Sequence, residues 1–163
     1  MDNIGTLAQQ LVSLCARSGK IVATAESCTG GLIAGAITDI AGSSAALDRG
    51  FVTYSNAAKT DMLGVREQLL KTHGAVSQGV AEAMAAGALS NSDADVAVSV
   101  TGVAGPDGGS AEKPVGTVWF GLCKRGSSPT SFHRLFAEKN REEVRALTVA
   151  AALEAMLEAL SSR

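Results

Sequence analysis

Aromatic side chains are scarce in this chain of 163 residues: they make up 4% of it, with one Trp and one Tyr. That leaves too few rings to stack successive bases of a single strand. Basic side chains are not in excess either, since 14 Lys and Arg stand against 16 Asp and Glu for a net charge of −2, without a basic stripe. Nucleic acid is therefore not an expected partner. Cysteine is limited to Cys15, Cys28 and Cys123, an odd and widely spaced set that suits reduced thiols rather than a disulfide framework or a zinc site. His73 and His133 are far apart and complete no ligand pattern, so neither a metal nor a cofactor is expected. No apolar run approaches the roughly 20 residues that span a bilayer. The start "MDNIGTLAQQ" lacks the basic and apolar regions of a signal peptide. The expectation is a cytoplasmic protein with no membrane contact.

What is plentiful is small and aliphatic: 18 glycines, and 46% hydrophobic residues that must fill a core mainly as Ala, Val, Leu and Ile. Apolar positions 4, 7, 8, 11, 12 and 15 repeat at helical spacing, and "RSGK" stops that helix before the strand-like "IVATA". "GLIAGAITDIAG" reads as a second helix closed by Gly42, and "RGFVTYSN" as a strand that carries Tyr54. Two short helical pieces follow, then a helix capped by Ser77 and interrupted by two glycines. "ADVAVSVTG" has the pattern of a strand buried on both faces. "VAGPDGGSAEKPVG" predicts a long surface loop, "TVWFGLCK" and "TSFHRLFA" an antiparallel hairpin, and the last helix starts near Asn140. Helices and strands alternate and a hairpin follows, which predicts one α/β domain over residues 1–163, a three-layer α/β/α sandwich with a mixed sheet.

In such a sheet ligands gather at strand ends, and three segments qualify. In "AESCTGG", Ser27 or Thr29 serves as a helix cap, or else the turn with Gly30 and Gly31 offers N–H groups to an anion; Cys28 is a thiol nucleophile or a buried bystander. In "AGSSAALDRGFVTYSNAAK", Ser43 or Ser44 could be a hydroxyl nucleophile with Lys59 as its base, the lysine's pKa depressed by burial beside Tyr54. The same residues read equally as a helix stop, a strand residue and a solvated lysine. "VTGVAGPDGG", with Thr101, Gly102 and Gly105, matches no P-loop and is either a flexible turn or a ligand-contacting one.

Six ordered motifs, "TAESCTGG", "ITDIAGSSA", "RGFVTYSNAAK", "GAVS", "TGVAGPDGGS" and "KPVGTVWFGL", together resemble the C-terminal domain family of the competence-damage-inducible protein CinA from about Leu7 to the last helix. The resemblance implies an amidase of pyridine nucleotide recycling that hydrolyses nicotinamide mononucleotide to nicotinic acid mononucleotide and ammonia without a metal. A non-catalytic domain that binds a pyridine nucleotide is the alternative. The resemblance further implies Ser44 as nucleophile with Tyr54 and Lys59, and Ser27, Thr101 and Arg141 in binding or support. Arg145, one helical turn from Arg141, competes with it for the substrate phosphate, for which the "CTGG" turn is a second candidate. The N–H groups near Gly42 to Ala45 or Thr101 to Gly105 would hold an oxyanion. Larger family members carry an additional pyrophosphatase domain, which this length does not lead one to expect. A homodimer is expected. A straight helix from Gly31 to Gly42 would hold Ser27 and Ser44 roughly 20 Å apart, so sharing one site requires a shorter helix, a folded-back chain or a second subunit.

Overall fold

The structure is a computed structural model that describes residues 3–162. Five strands form one mixed sheet: β1 (Val22–Glu26), β2 (Leu47–Val52), β3 (Val96–Gly102), β4 (Thr117–Lys124) and β5 (Thr130–Leu135), in the spatial order β2-β1-β3-β4-β5. β1 runs parallel to both β2 and β3, while β4 runs antiparallel to its neighbours β3 and β5, forming the expected hairpin with β5. Six α-helices cover the sheet: α1 (Asn3–Ser18), α2 (Leu32–Thr38), α3 (Asn56–Leu63), α4 (Glu67–His73), α5 (Gln78–Ser90) and α6 (Arg141–Ser161).

Two buried clusters mark the two faces, giving the three-layer sandwich that the alternation of elements predicts. Val96, Val98, Val100, Val118 and Phe120 pack with α1, α2 and α6 on one side. On the other side Ala23, Ala25 and Ala97 meet α5, with α3 and α4 outside it. The second face is lined by small residues because α5 sits very close to the sheet. Ser99 donates its hydroxyl to the Ala81 carbonyl of α5 at 2.6 Å, and a Cβ on Gly121 would collide with that same carbonyl. Gly87, one of the two glycines interrupting the α5 pattern, has an equivalent reason: a Cβ there would strike the Leu63 carbonyl at the end of α3. The helix accepts the propensity penalty of glycine in exchange for close packing.

The chain crosses from β1 to β2 by way of α2 on one face, and from β2 to β3 by way of α3, α4 and α5 on the other. One connection therefore leaves the C-terminal end of β1 toward one face and the other leaves that of the neighbouring β2 toward the opposite face, and a crevice lies at these strand ends.

Two departures from the sequence expectation bear on the site. α2 stops at Thr38 instead of Gly42, and after it a 3-10 turn covers Ser43–Ala45. β2 begins at Leu47 and ends at Val52, so Tyr54 lies beyond the strand, in the loop that leads into α3. Among the described residues no helix is long and apolar enough to cross a membrane.

Replacing Gly121 by alanine is expected to cost at least about 2 kcal/mol, because backbone and not a flexible side chain must give way. Gly5→Ala, where no atom of the described residues outside its own helix turn lies within 4 Å of the added Cβ, should instead stabilise α1 by up to about 1 kcal/mol. Thermal melts of the two variants check both signs.

Candidate active site

The residue that organises the crevice is Glu26, the last of β1. It is 1% exposed, yet its carboxylate is fully engaged. It accepts the Thr29 hydroxyl at 2.5 Å, the Ile33 N–H at 2.9 Å and the Ala34 N–H at 3.0 Å. A buried charge is tolerable when hydrogen bonds replace its water, and the first turn of a helix supplies N–H groups with no other partner. The backbone carbonyl of Glu26 takes the Thr53 N–H at 2.9 Å, and the next residue, Ser27, donates its own N–H to the Val100 carbonyl at 3.1 Å. Ser27 is thereby fixed between the ends of β2 and β3.

Lys59 comes to Ser27 from α3. Ser55 caps that helix by accepting the Ala58 N–H, which sets the direction of its first turn. The Lys59 side chain runs inward, 1% exposed, and its Nζ donates to Ser27 Oγ at 3.0 Å and to the Tyr54 carbonyl at 3.1 Å. Ser27 Oγ lies 3.4 Å from that same carbonyl. No carboxylate forms an ion pair with Lys59 among the described residues; the pairs found there join Arg49 to Asp48 and to Asp93. Burial without a counter-charge disfavours the ammonium and pushes the Lys59 pKa below its ordinary value. A serine hydroxyl in contact with a lysine whose ammonium is disfavoured has the arrangement that a nucleophile and its base require.

Around this pair lies a cleft of about 310 Å³. Thr101, at the end of β3, is 1% exposed and binds the Ala75 carbonyl through its hydroxyl at 2.9 Å, holding the cleft's back wall. Arg141, the first residue of α6, reaches over the opening, donating to the Gly105 carbonyl at 2.7 Å and to the Tyr54 hydroxyl at 3.2 Å. Among the described residues no group of three or more His, Cys, Asp or Glu side chains is placed to hold a metal ion.

Of the residues singled out from sequence, the structure gathers Ser27, Tyr54, Lys59, Thr101, Gly102, Gly105 and Arg141 around this cleft. It does not bring Ser44 there. The Ala46 carbonyl accepts the Val22 N–H at 2.8 Å, so the Ser43–Ala45 turn sits at the opposite end of β1 from Ser27. Five strand residues separate the two ends, about 16 Å. The shorter α2 does not help, since the chain continues to the far edge before β2 begins. Gly42 to Ala45 are likewise too distant to hold an oxyanion at Lys59.

Tyr54 acts differently from the expectation. Its ring is 62% exposed and holds Arg141, and only its carbonyl touches Lys59. Thr29, Gly30 and Gly31 do not line the cleft, because Glu26 already occupies the helix start that they introduce. Arg145 lies on a separate groove beside Gly31 and Leu32, leaving Arg141 as the arginine of the cleft. Cys28 packs in the core and burial pushes its thiol up to about 11, so it is no thiolate at neutral pH. Glu26 was not legible as a functional residue from the motif; a glutamate seven residues before a helical N–H carries no local capping pattern. Asn56, Val76 and Asp107, also around the cleft, lie within quoted motifs but had no distinguishing chemistry in sequence.

The profile of the CinA C-terminal domain family matches residues 4–160. The chain is 55% identical over 158 residues to a protein of Pseudomonas putida named nicotinamide-nucleotide amidohydrolase PncC, covering 97% of this chain and 98% of that one. It is 52% identical over 150 residues to the protein of the same name from Escherichia coli K12, covering 92% and 90%. Among solved structures it resembles competence/damage inducible protein CihA from Agrobacterium tumefaciens, with a TM-score of 0.94 and 53% identity over 98% of this chain and 96% of that one.

The depressed Lys59 pKa has a measurable sign. Between the folded value and the ordinary 10.5, the unfolded chain binds the proton that the folded chain refuses, so stability rises with pH across that window. Relative to Lys59→Met, which has no charge to titrate, the wild type is expected to gain stability as the pH rises toward the ordinary lysine value of 10.5. Denaturant titrations of both proteins across that range check this; a constant difference would mean that Lys59 is not perturbed.

Proposed function

The chain belongs to the CinA C-terminal domain family, and from that membership we propose that it is a nicotinamide-nucleotide amidase. It hydrolyses the carboxamide of nicotinamide mononucleotide to nicotinic acid mononucleotide and ammonia within one domain, with Ser27 as nucleophile. The 3.0 Å contact between Lys59 Nζ and Ser27 Oγ carries this reading.

Neutral Lys59 accepts the Ser27 proton as Oγ attacks the carboxamide carbon, whose electrophilicity the cationic pyridinium ring raises. Collapse of the tetrahedral intermediate breaks the C–N bond, and the Lys59 ammonium returns its proton to the departing nitrogen, which leaves as ammonia. Water then attacks the Ser27 ester, Lys59 accepting its proton, and the acid product leaves with Ser27 restored. Arg141, fixed by the Gly105 carbonyl and the Tyr54 hydroxyl, keeps further N–H donors for the 5′-phosphate. The intact Ser–Lys contact supports an enzyme over a domain that only binds the nucleotide. A homodimer belongs to the proposal as well, supported by Leu32 and Val52, exposed near the free edge of β2. Ser44 could join the cleft only from such a second copy.

Purified protein should release ammonia from nicotinamide mononucleotide. Ser27→Ala and Lys59→Met are each expected to lower kcat by a factor on the order of 10³ or more while the fold persists, and Ser44→Ala to leave it within about threefold. Binding without ammonia release would reject the amidase. Loss of activity in Ser44→Ala with activity kept in Ser27→Ala would move the nucleophile to a second subunit.

A further inference from the structure

The carbonyls of Ser27, Cys28 and Thr29 are all taken. The Ser27 carbonyl accepts the Gly30 N–H at 3.1 Å, and the Thr29 carbonyl accepts the Leu32 N–H at 3.0 Å. Arg145, from α6, donates through Nε to the Cys28 carbonyl at 3.1 Å and through a terminal nitrogen to the Thr29 carbonyl at 3.3 Å. By contrast, no oxygen of a described residue accepts the N–H of Cys28 or of Thr29.

In a trans peptide the N–H points opposite to the carbonyl it shares a plane with. Holding the Cys28 carbonyl against Arg145 thus turns the Thr29 N–H away from the guanidinium. The second contact starts a chain of three links. Arg145 binds the Thr29 carbonyl; the N–H of that same peptide unit, on Gly30, binds the Ser27 carbonyl; and the N–H of the Ser27–Cys28 unit, on Cys28, is given to no oxygen of a described residue. Cys28 lines the cleft, next to the proposed nucleophile. Hydrogen bonds in series polarise one another, and a fixed cation at the far end strengthens the donor at the near end.

We propose that Arg145 is a positioning residue for catalysis, which orients and polarises the Cys28 N–H as an oxyanion donor beside Ser27. The inference rests on the amidase reading with Ser27 as nucleophile. It gives Arg145 a role without substrate contact, in keeping with its place on the wall of a different groove. Glu26 binds the same turn from the other pole, taking the Thr29 hydroxyl and the N–H groups of Ile33 and Ala34. An anion and a cation thus hold one short loop at its donor and acceptor ends.

Steady-state kinetics of wild type, Arg145→Met and Arg145→Lys on nicotinamide mononucleotide and on its thioamide analogue test this. Sulfur is a poor acceptor for oxyanion donors, so the wild type should prefer the amide. In Arg145→Met, kcat on the amide should fall about 10- to 100-fold with KM within about threefold, since losing one oxyanion donor outright costs on the order of 10²–10³. The preference for amide over thioamide should shrink with it, which a purely structural role would not cause. Arg145→Lys, which keeps a cation near the turn, should retain the fold and lie between the two. An unchanged amide-to-thioamide ratio in both variants, or a raised KM with kcat intact as a phosphate ligand would give, overturns the proposal. Activity in the wild type with an inert Ser27→Ala keeps the underlying reading in either case; an inactive wild type overturns both.

Discussion

The buried carboxylate of Glu26 is the constraint on which the site depends. It is placed at the end of a strand inside the protein, where only the opening N–H groups of α2 and the Thr29 hydroxyl can replace its water. Satisfying it forces the chain to turn within a few residues and start a helix immediately. Gly31, with φ at 107°, adopts the left-handed conformation that this requires. Ser27 rides on that turn. The position of the hydroxyl is thus decided by a charge that takes no part in chemistry, and the helix start that might have received a substrate phosphate is filled from within.

A lysine without a counter-charge completes the site. Lys59 is buried with hydrogen bonds but no anion, while the nearest turn has its own anion neutralised by α2. Pairing Lys59 with a carboxylate would stabilise the ammonium and remove its basicity. The fold thus keeps a carboxylate one residue from the proposed nucleophile and directs it away from Lys59. The cost in stability is the familiar one of a functional site, where a group is held in a state that the interior disfavours.

Much of the architecture was legible in the chain. Apolar periodicity, glycine stops and the hairpin turn gave all five strands and six helices, because each rests on local patterning with little tertiary override. The departures came where local signals end. "DIAG" continues the helical pattern of α2, yet the chain must leave the helix at Thr38 to reach the start of β2. Tyr54 reads as a strand residue because its neighbours are β-branched or aromatic, while the strand stops at Val52. At the site, Lys59 and Thr101 fall in segments that strand ends and helix starts mark, while Arg141 came from family likeness. Ser44 was drawn in by family likeness, although parallel strands put the end of β1 and the approach to β2 at opposite edges. Glu26 stayed hidden, and Arg145 was read as a phosphate candidate, for a common reason: their partners are backbone groups, 7 or 8 residues away for the Glu26 amides and more than 100 for Arg145.

The central claim is that Ser27, and not the serine at the far edge of the sheet, carries the acyl group. Rapid acid quench of the protein with saturating nicotinamide mononucleotide, followed by proteolysis and mass spectrometry, reads this directly. The account predicts a nicotinate-mononucleotide ester on the peptide that contains Ser27, absent from Lys59→Met. An ester on the peptide that contains Ser43 and Ser44 would contradict it.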